Sequence, residues 1–170
     1  LVFAVLVTIA ASPGPPPEGI KFEVVSVRVL SDKDAADRSP DFLEPNVTVR
    51  LRLSSSGRGL YFYTWRESVV PMGYSVGVTE HGLVWRYGKP GEQEQQSSPG
   101  IQELDKSVPG SWRLMPGHDR PAIEWDALDS THYKGEKHAF TIFIKLSEKA
   151  KPMEVVSESY TVPDKPPAPR

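Results

Sequence analysis

Cysteine is absent from the chain. No disulfide framework is available, no thiol nucleophile exists, and the Cys–Trp–Cys signature of an antibody-type domain is excluded. Basic excess is lacking as well. Twenty Lys and Arg stand against 22 Asp and Glu, a formal net charge of −2. That leaves no basic field for nucleic acid or anionic lipid, and no nucleic-acid partner is expected. Beyond residue 12 there is no long apolar run, so no membrane span is expected after leader cleavage. Also missing are a Gly-x-Ser-x-Gly elbow, a Walker A sequence, a Rossmann fingerprint and a repeat of fixed period.

Residues 1–12, LVFAVLVTIAAS, form a short apolar run ending in small residues. Pro13 to Gly19, PGPPPEG, then breaks any helix. This is the pattern of a secretory leader's apolar region and cleavage zone, with processing after Ala10 or Ser12. An apolar run of this length also fits a buried strand or helix. The small residues and the proline cluster favour the leader. Small secreted eukaryotic domains lean on disulfides, so a cysteine-free exported domain suits a bacterial periplasmic or extracellular protein. The sequon Asn46-Val47-Thr48 is then ordinary strand sequence. The expected organisation is a leader remnant over 1–12 and a Pro-rich linker over 13–19. One domain follows over 20–163, and a Pro-rich tail over 164–170.

Within the domain, period-2 patterning dominates. In NVTVRLRL, Val47, Val49, Leu51 and Leu53 share one face, and Thr48, Arg50 and Arg52 the other. That is a half-buried antiparallel strand. KFEVVSVRVL alternates too but slips phase at Val24-Val25, which predicts a β-bulge. LYFYTW, GYSVGVT, LVWRY, SWRLM, PAIEW, KHAFTIFIK and EVVSESYTV continue the series. In KHAFTIFIK, Phe140, Ile142 and Ile144 face one way, with His138 in the same phase. In EVVSESYTV the inward set reads as Val156, Tyr160 and Val162. Glu80-His81-Gly82 suits a hairpin turn. Residues 88–110 show no period and contain Gly88, Gly91, Gly100 and Gly110, a long loop of the kind that is often functional. About nine short strands with no long amphipathic helix predict an all-β, Ig-like antiparallel β-sandwich with one long loop.

From Asn46 to Val162 the chain resembles Ig-like bacterial envelope domains, including those of the intracellular proteinase inhibitor type. The matching pieces are Val47 to Ser55, Trp112 to Gly117, Glu124-Trp125, and Gly135 to Lys145. The resemblance implies a sandwich and a non-catalytic module. The 88–110 loop and the leader depart from the inhibitor type, so no inhibitory residue is carried across.

Candidate chemistry is sparse. His81, His118, His132 and His138 lack metal-ligand spacing, and the His/Asp/Glu-rich stretch from His118 to His138 reads as polar loops with solvated charges. Asp32, Asp34, Asp37, Asp41 and Glu44 begin like a calcium loop, but no glycine supplies the sharp turn. Glu124 and Asp126 share a strand face, as many surface carboxylates do. No cofactor, no metal and no catalytic residue is expected. The aromatics are the better lead. Tyr61, Tyr63 and Trp65 lie on one strand face, and Trp85 and Tyr87 repeat the arrangement. With Leu60 and Phe62 inward, they form a stripe on which sugar rings can stack. The competing expectation makes Trp65 the core tryptophan of the sandwich, with Tyr61 and Tyr63 as buried neighbours. The leading function is protein binding in the envelope through the 88–110 loop and the loop around His118 to Lys137. The alternative partner is a polysaccharide held by the aromatic face.

Overall fold

The computed structural model describes residues 14–29, 47–57, 59–65, 67–79, 82–84, 110–117, 119–129 and 135–163. These residues form ten strands and no helix: β1 (Ile20–Val29), β2 (Val47–Ser55), β3 (Tyr61–Trp65), β4 (Gly73–Thr79), β5 (Gly82–Val84), β6 (Gly110–Leu114), β7 (Ala122–Asp129), β8 (Lys137–Lys145), β9 (Met153–Val156) and β10 (Tyr160–Thr161). No described helix is therefore long and apolar enough to cross a membrane. A three-stranded sheet, β1-β2-β7, faces a seven-stranded sheet built around β8. All pairings between named strands are antiparallel.

The alternating faces of β2 fall as their polarity dictates except at Thr48, which is buried although it shares the phase of Arg50 and Arg52. Val47, Val49, Leu51 and Leu53 are fully buried. Arg50 and Arg52 lie on the other face, where Arg50 meets Asp126 at 3.3 Å and Glu124 at 3.4 Å across the β2–β7 ladder. In β1 the register slips between Val24 and Ser26, as the phase change at Val24-Val25 requires. The extra residue lets Ile20 and Phe22 on one side of the bulge, and Val27 on the other, turn to the same core. Strand β2 ends at Ser55, and Gly57 just beyond it supplies a φ of +89° for the turn.

Strand β8 organises the larger sheet. Ile142 pairs with Gly73 of β4 and Val155 of β9, while Ile144 pairs with Phe62 of β3 and Met153 of β9. A residue has only two lateral neighbours, so β3 and β4 share one edge of β8 and β9 takes the other. The inward set Phe140, Ile142 and Ile144 joins the core with His138 in phase. The opposite set, Ala139, Thr141 and Phe143, is buried too.

Three expectations need correcting. The count is ten because EVVSESYTV is broken into β9 and β10. Ser157 interrupts it, donating its N–H to the Phe140 carbonyl at 2.8 Å and accepting the Phe140 N–H on its hydroxyl at 2.9 Å. The phase slips at that break, so Val155 rather than Val156 points inward, followed by Tyr160 and Val162. The charged stretch after His118 is not all loop, since β7 runs on to Asp129. The 88–110 loop lies outside the described residues apart from Gly110, which opens β6. So does the hairpin turn at Glu80-His81, although Thr79 pairs with Gly82 across it.

The core tryptophan is Trp125 of β7, stacked on Phe22 with ring centroids 5.9 Å apart. Burying an apolar side chain of Leu size stabilises a fold by about 1.5–3 kcal/mol. Leu51→Asp removes that contribution and buries an unpaired charge, so it should cost more than about 4 kcal/mol and unfold the domain. Arg50→Asp, on the solvated face, should leave the domain folded with a small loss. Urea unfolding of both variants checks the order, and the reverse order would mean the strand phase is wrong.

Candidate functional site

The outward face of β3 carries the candidate aromatics. Phe62 is buried in the core, which turns Tyr61, Tyr63 and Trp65 to the other side. Across the β3–β6 ladder, Tyr61 pairs with Leu114, Tyr63 with Trp112, and Trp65 with Gly110. Directly paired residues share a face, so Trp112 and Leu114 join the stripe. Lys145 pairs with Tyr61 from β8 and places its ammonium 4.5 Å from the centre of the Trp112 ring. That is cation–π distance.

Exposure along this stripe is uneven. Trp65 is 52% exposed and Leu114 57% exposed, whereas Tyr63 is 2% exposed. Tyr61 and Trp112 are half-buried. The expectation that Trp65 fills the core is therefore overturned. Core occupancy follows the phase of Phe62, and Trp125 from the opposite sheet takes the tryptophan's place. Tyr63 is covered because its ring meets Trp112 edge-on at 5.3 Å and lies over Gly110. A Cβ at position 110 would come within 2.5 Å of the Tyr63 ring and 2.3 Å of the Thr64 carbonyl oxygen. Trp85 and Tyr87 lie outside the described residues.

The turn after Trp65 is held from inside. The buried Thr64 hydroxyl donates to the Val70 carbonyl at 2.7 Å. The Val70 N–H donates to the Ser68 hydroxyl at 3.2 Å, the Ser68 N–H to the Trp65 carbonyl at 3.1 Å, and the Met72 N–H to the Tyr63 carbonyl at 2.8 Å. These bonds present Val69, 66% exposed, just beyond Trp65. Sequence reasoning passed over Trp112, Leu114 and Lys145. The alternation of Trp112 and Leu114 in SWRLM was the available signal, but only the register brings it beside β3.

A second region of the outward face holds Tyr74 of β4, Phe143 of β8 and Glu154 of β9. The Tyr74 and Phe143 rings are 6.3 Å apart, and the Tyr74 hydroxyl donates to the Glu154 carboxyl. Burial pushes that carboxyl up from 4.5 to about 7.

The His/Asp/Glu-rich stretch resolves differently from the solvated loops expected of it. Asp129 and His138 are buried, the first with no exposure at all. His138 Nδ1 lies 2.7 Å from Asp129 Oδ2 and its Nε2 lies 3.3 Å from Glu136 Oε2. The Tyr160 hydroxyl donates to Asp129 Oδ2 at 2.6 Å and the Ser75 hydroxyl to Asp129 Oδ1 at 2.8 Å. Burial is the largest influence on Asp129 and raises it, but the bond and charge of His138, with the two hydroxyls, outweigh it and hold the carboxyl below its ordinary value. Burial likewise lowers His138 most, yet Asp129 and then Glu136 together raise it. The Asp129 carboxylate, not the imidazole, receives the serine hydroxyl, so this is not the geometry of an activated nucleophile. Among the described residues no group of three or more His, Asp or Glu could hold a metal. Glu124 and Asp126 do share a face, and both are engaged by Arg50. His81, His118, His132 and the acidic residues Asp32, Asp34, Asp37, Asp41 and Glu44 lie outside the described residues.

Compared with protein-family models, with curated proteins and with solved structures, the chain finds no match.

Two outcomes follow from this face. Gly110→Ala should drive apart the β3–β6 pairing at the Thr64 carbonyl as well as the Tyr63 ring and destabilise the domain by about 3 kcal/mol or more, the upper end for overpacking; thermal melting and Tyr and Trp near-ultraviolet dichroism read it. Glu154 has a raised folded value, so its contribution is full below pH 4.5 and is lost as pH rises through about 7. The loss should be roughly 1–2 kcal/mol, the full linkage value being reduced by solvent at this partly exposed carboxyl. Glu154→Gln should flatten that limb of a stability profile measured by urea unfolding.

Proposed function

We propose that the chain is a non-catalytic, exported module with an Ig-like arrangement of its sandwich. It binds a protein partner in the bacterial periplasm or outside the cell through the β3–β6 face. The observation that carries this reading is the exposure of Trp65 and Leu114 on a sheet face that also displays Tyr61 and Trp112. Tryptophan and tyrosine on a rigid surface are the material of interface hot spots, and an exposed leucine adds apolar area around them. Large exposed apolar side chains at both ends of one short ladder, Trp65 and Leu114, are the kind of surface that binding faces display. The sheet spares the partner an ordering cost, because β3 is paired with β6 along its length and with β8 at Tyr61 and Phe62, and its following turn is hydrogen-bonded.

Polysaccharide is the second reading, favoured by one observation: Trp65 is half-exposed on a sheet face that also carries Tyr61 and Lys145. It ranks lower because Tyr63 is covered and Lys145 occupies a face of Trp112. A single half-exposed ring is a small platform for stacking.

The test compares the wild-type domain with Trp65→Ala and Leu114→Ala. Both side chains are exposed, so the folded state should change by less than about 0.5 kcal/mol. A defined polypeptide captured from an envelope extract by wild type, and lost with both variants, is the expected result. Retardation in affinity electrophoresis against soluble polysaccharides, abolished by Trp65→Ala, would replace the protein with a glycan. If both variants behave as wild type in both assays, the face is not the contact surface.

A further inference from the structure

The buried cluster around Asp129 joins the two sheets at one end of the sandwich. Asp129 closes β7 of the smaller sheet, while Ser75, His138 and Tyr160 come from β4, β8 and β10 of the larger. Strand β10 is short, with two pairs to β8, Tyr160 to His138 and Thr161 to Lys137. The Tyr160 ring meets His138 edge-on at 6.1 Å and stacks on Phe140 at 6.4 Å. Val162, next in the chain, is buried. Its N–H donates to the Glu136 carbonyl at 2.8 Å, and its carbonyl accepts the Gly135 N–H at 3.1 Å. Residues 160–162 thus hang on the start of β8 and on the His138–Asp129 cluster.

We propose that His138 is a proton-operated catch for residues 160–162, closed when the imidazole is protonated between Asp129 and Glu136 and released when it loses that proton. The protonated ring has two N–H donors, one for each carboxylate. The neutral ring keeps one. Retained toward Asp129, it leaves the Nε2 lone pair facing Glu136 Oε2 at 3.3 Å. The buried Asp129 carboxylate then has only neutral donors around it, and a buried charge without a counter-charge is costly. Among the described residues, the titratable groups facing His138 are Asp129 from β7, Glu136 from just before its own strand and Tyr160 from β10. From β4 the cluster receives the Ser75 hydroxyl, which does not titrate in this range. Tyr160 offers no substitute proton, since burial and Asp129 raise its hydroxyl.

The direction is fixed by linkage. His138 has a raised folded value, so its contribution is full below its ordinary 6.5 and is lost as pH rises through the higher folded value. Asp129 has a lowered one, so its contribution holds above 3.8 and is lost only as pH falls through that lower value. The catch is closed between these limits and opens on the alkaline side. Short β10 has the fewest ladder bonds to lose, so it gives first.

The experiment follows the His138 ring Cε1 proton by NMR from about pH 5 to about pH 9, which spans the ordinary histidine range and the side to which this ring is raised. Amide exchange at Val162 and at Leu51 is measured alongside, each corrected for its intrinsic rate, in wild type and Glu136→Gln. Val162 protection should fall about tenfold or more across the ring's midpoint, as expected for a local opening that the ring controls. Leu51 should not share that step, whereas the Glu154 effect is global and reaches both amides. Glu136→Gln should lower the ring midpoint and the Val162 step together. The proposal is overturned if the ring shows no midpoint above about 6.5, if Val162 falls only in parallel with Leu51, or if Glu136→Gln moves the ring without moving the amide.

Discussion

Burial of β8 on both faces is the constraint to which the rest of the molecule conforms. Its inward residues Phe140, Ile142 and Ile144 meet the smaller sheet, and its outward residues Ala139, Thr141 and Phe143 are covered as well. A strand enclosed in this way must also have every backbone N–H and carbonyl paired, because water cannot reach them. Four strands, two on each edge, supply those partners together with Ser157 between β9 and β10. The candidate binding face exists because β3 takes the C-terminal half of one edge and then leaves it. From there β3 carries β6 outward, and the aromatic stripe forms between those two.

The same strand shows how a polar group is admitted to such an interior. His138 has the phase of the core residues, and an inward histidine must find partners or destabilise the fold. It finds a carboxylate from the opposite sheet. Asp129 in turn accepts from a histidine, a tyrosine and a serine on three different strands. The end of the sandwich is therefore closed by directional bonds, while its middle is closed by non-directional packing of Leu51, Leu53, Phe62 and Trp125. Directional closure responds to proton activity. Apolar packing does not.

Local alternation made much of this architecture legible. The faces of β2, the inward set of β8 and the bulge in β1 each depend on residues within a few positions of one another, and period-2 polarity reports them directly. What failed depended on partners distant in sequence. The polarity of EVVSESYTV does not reveal the break at Ser157, since that break is set by a bond to Phe140. Trp65 was judged by residue type, yet its exposure follows from Phe62 being the better core residue on the same strand. The Asp129–His138 pair was hidden among charged neighbours because burial of a charge is a property of its partners. For the candidate face, Tyr61, Tyr63 and Trp65 were visible as a set, whereas the contributions of Trp112, Leu114 and Lys145 needed the register of two ladders.

One small contact near the start of the described chain carries a larger meaning. Gly14 forms a parallel bridge with Val155, and the Val156 N–H donates to the Gly14 carbonyl at 3.1 Å. Strand β9 would otherwise present a row of unsatisfied backbone groups to any passing chain, the template from which sheets of separate molecules fuse. Gly14 covers one position of that row, and Pro15, Pro16 and Pro17, with no N–H to offer, cannot extend the ladder from there. The segment that reads as a spacer thus also caps part of a sheet edge, where an ordinary strand would invite another to pair.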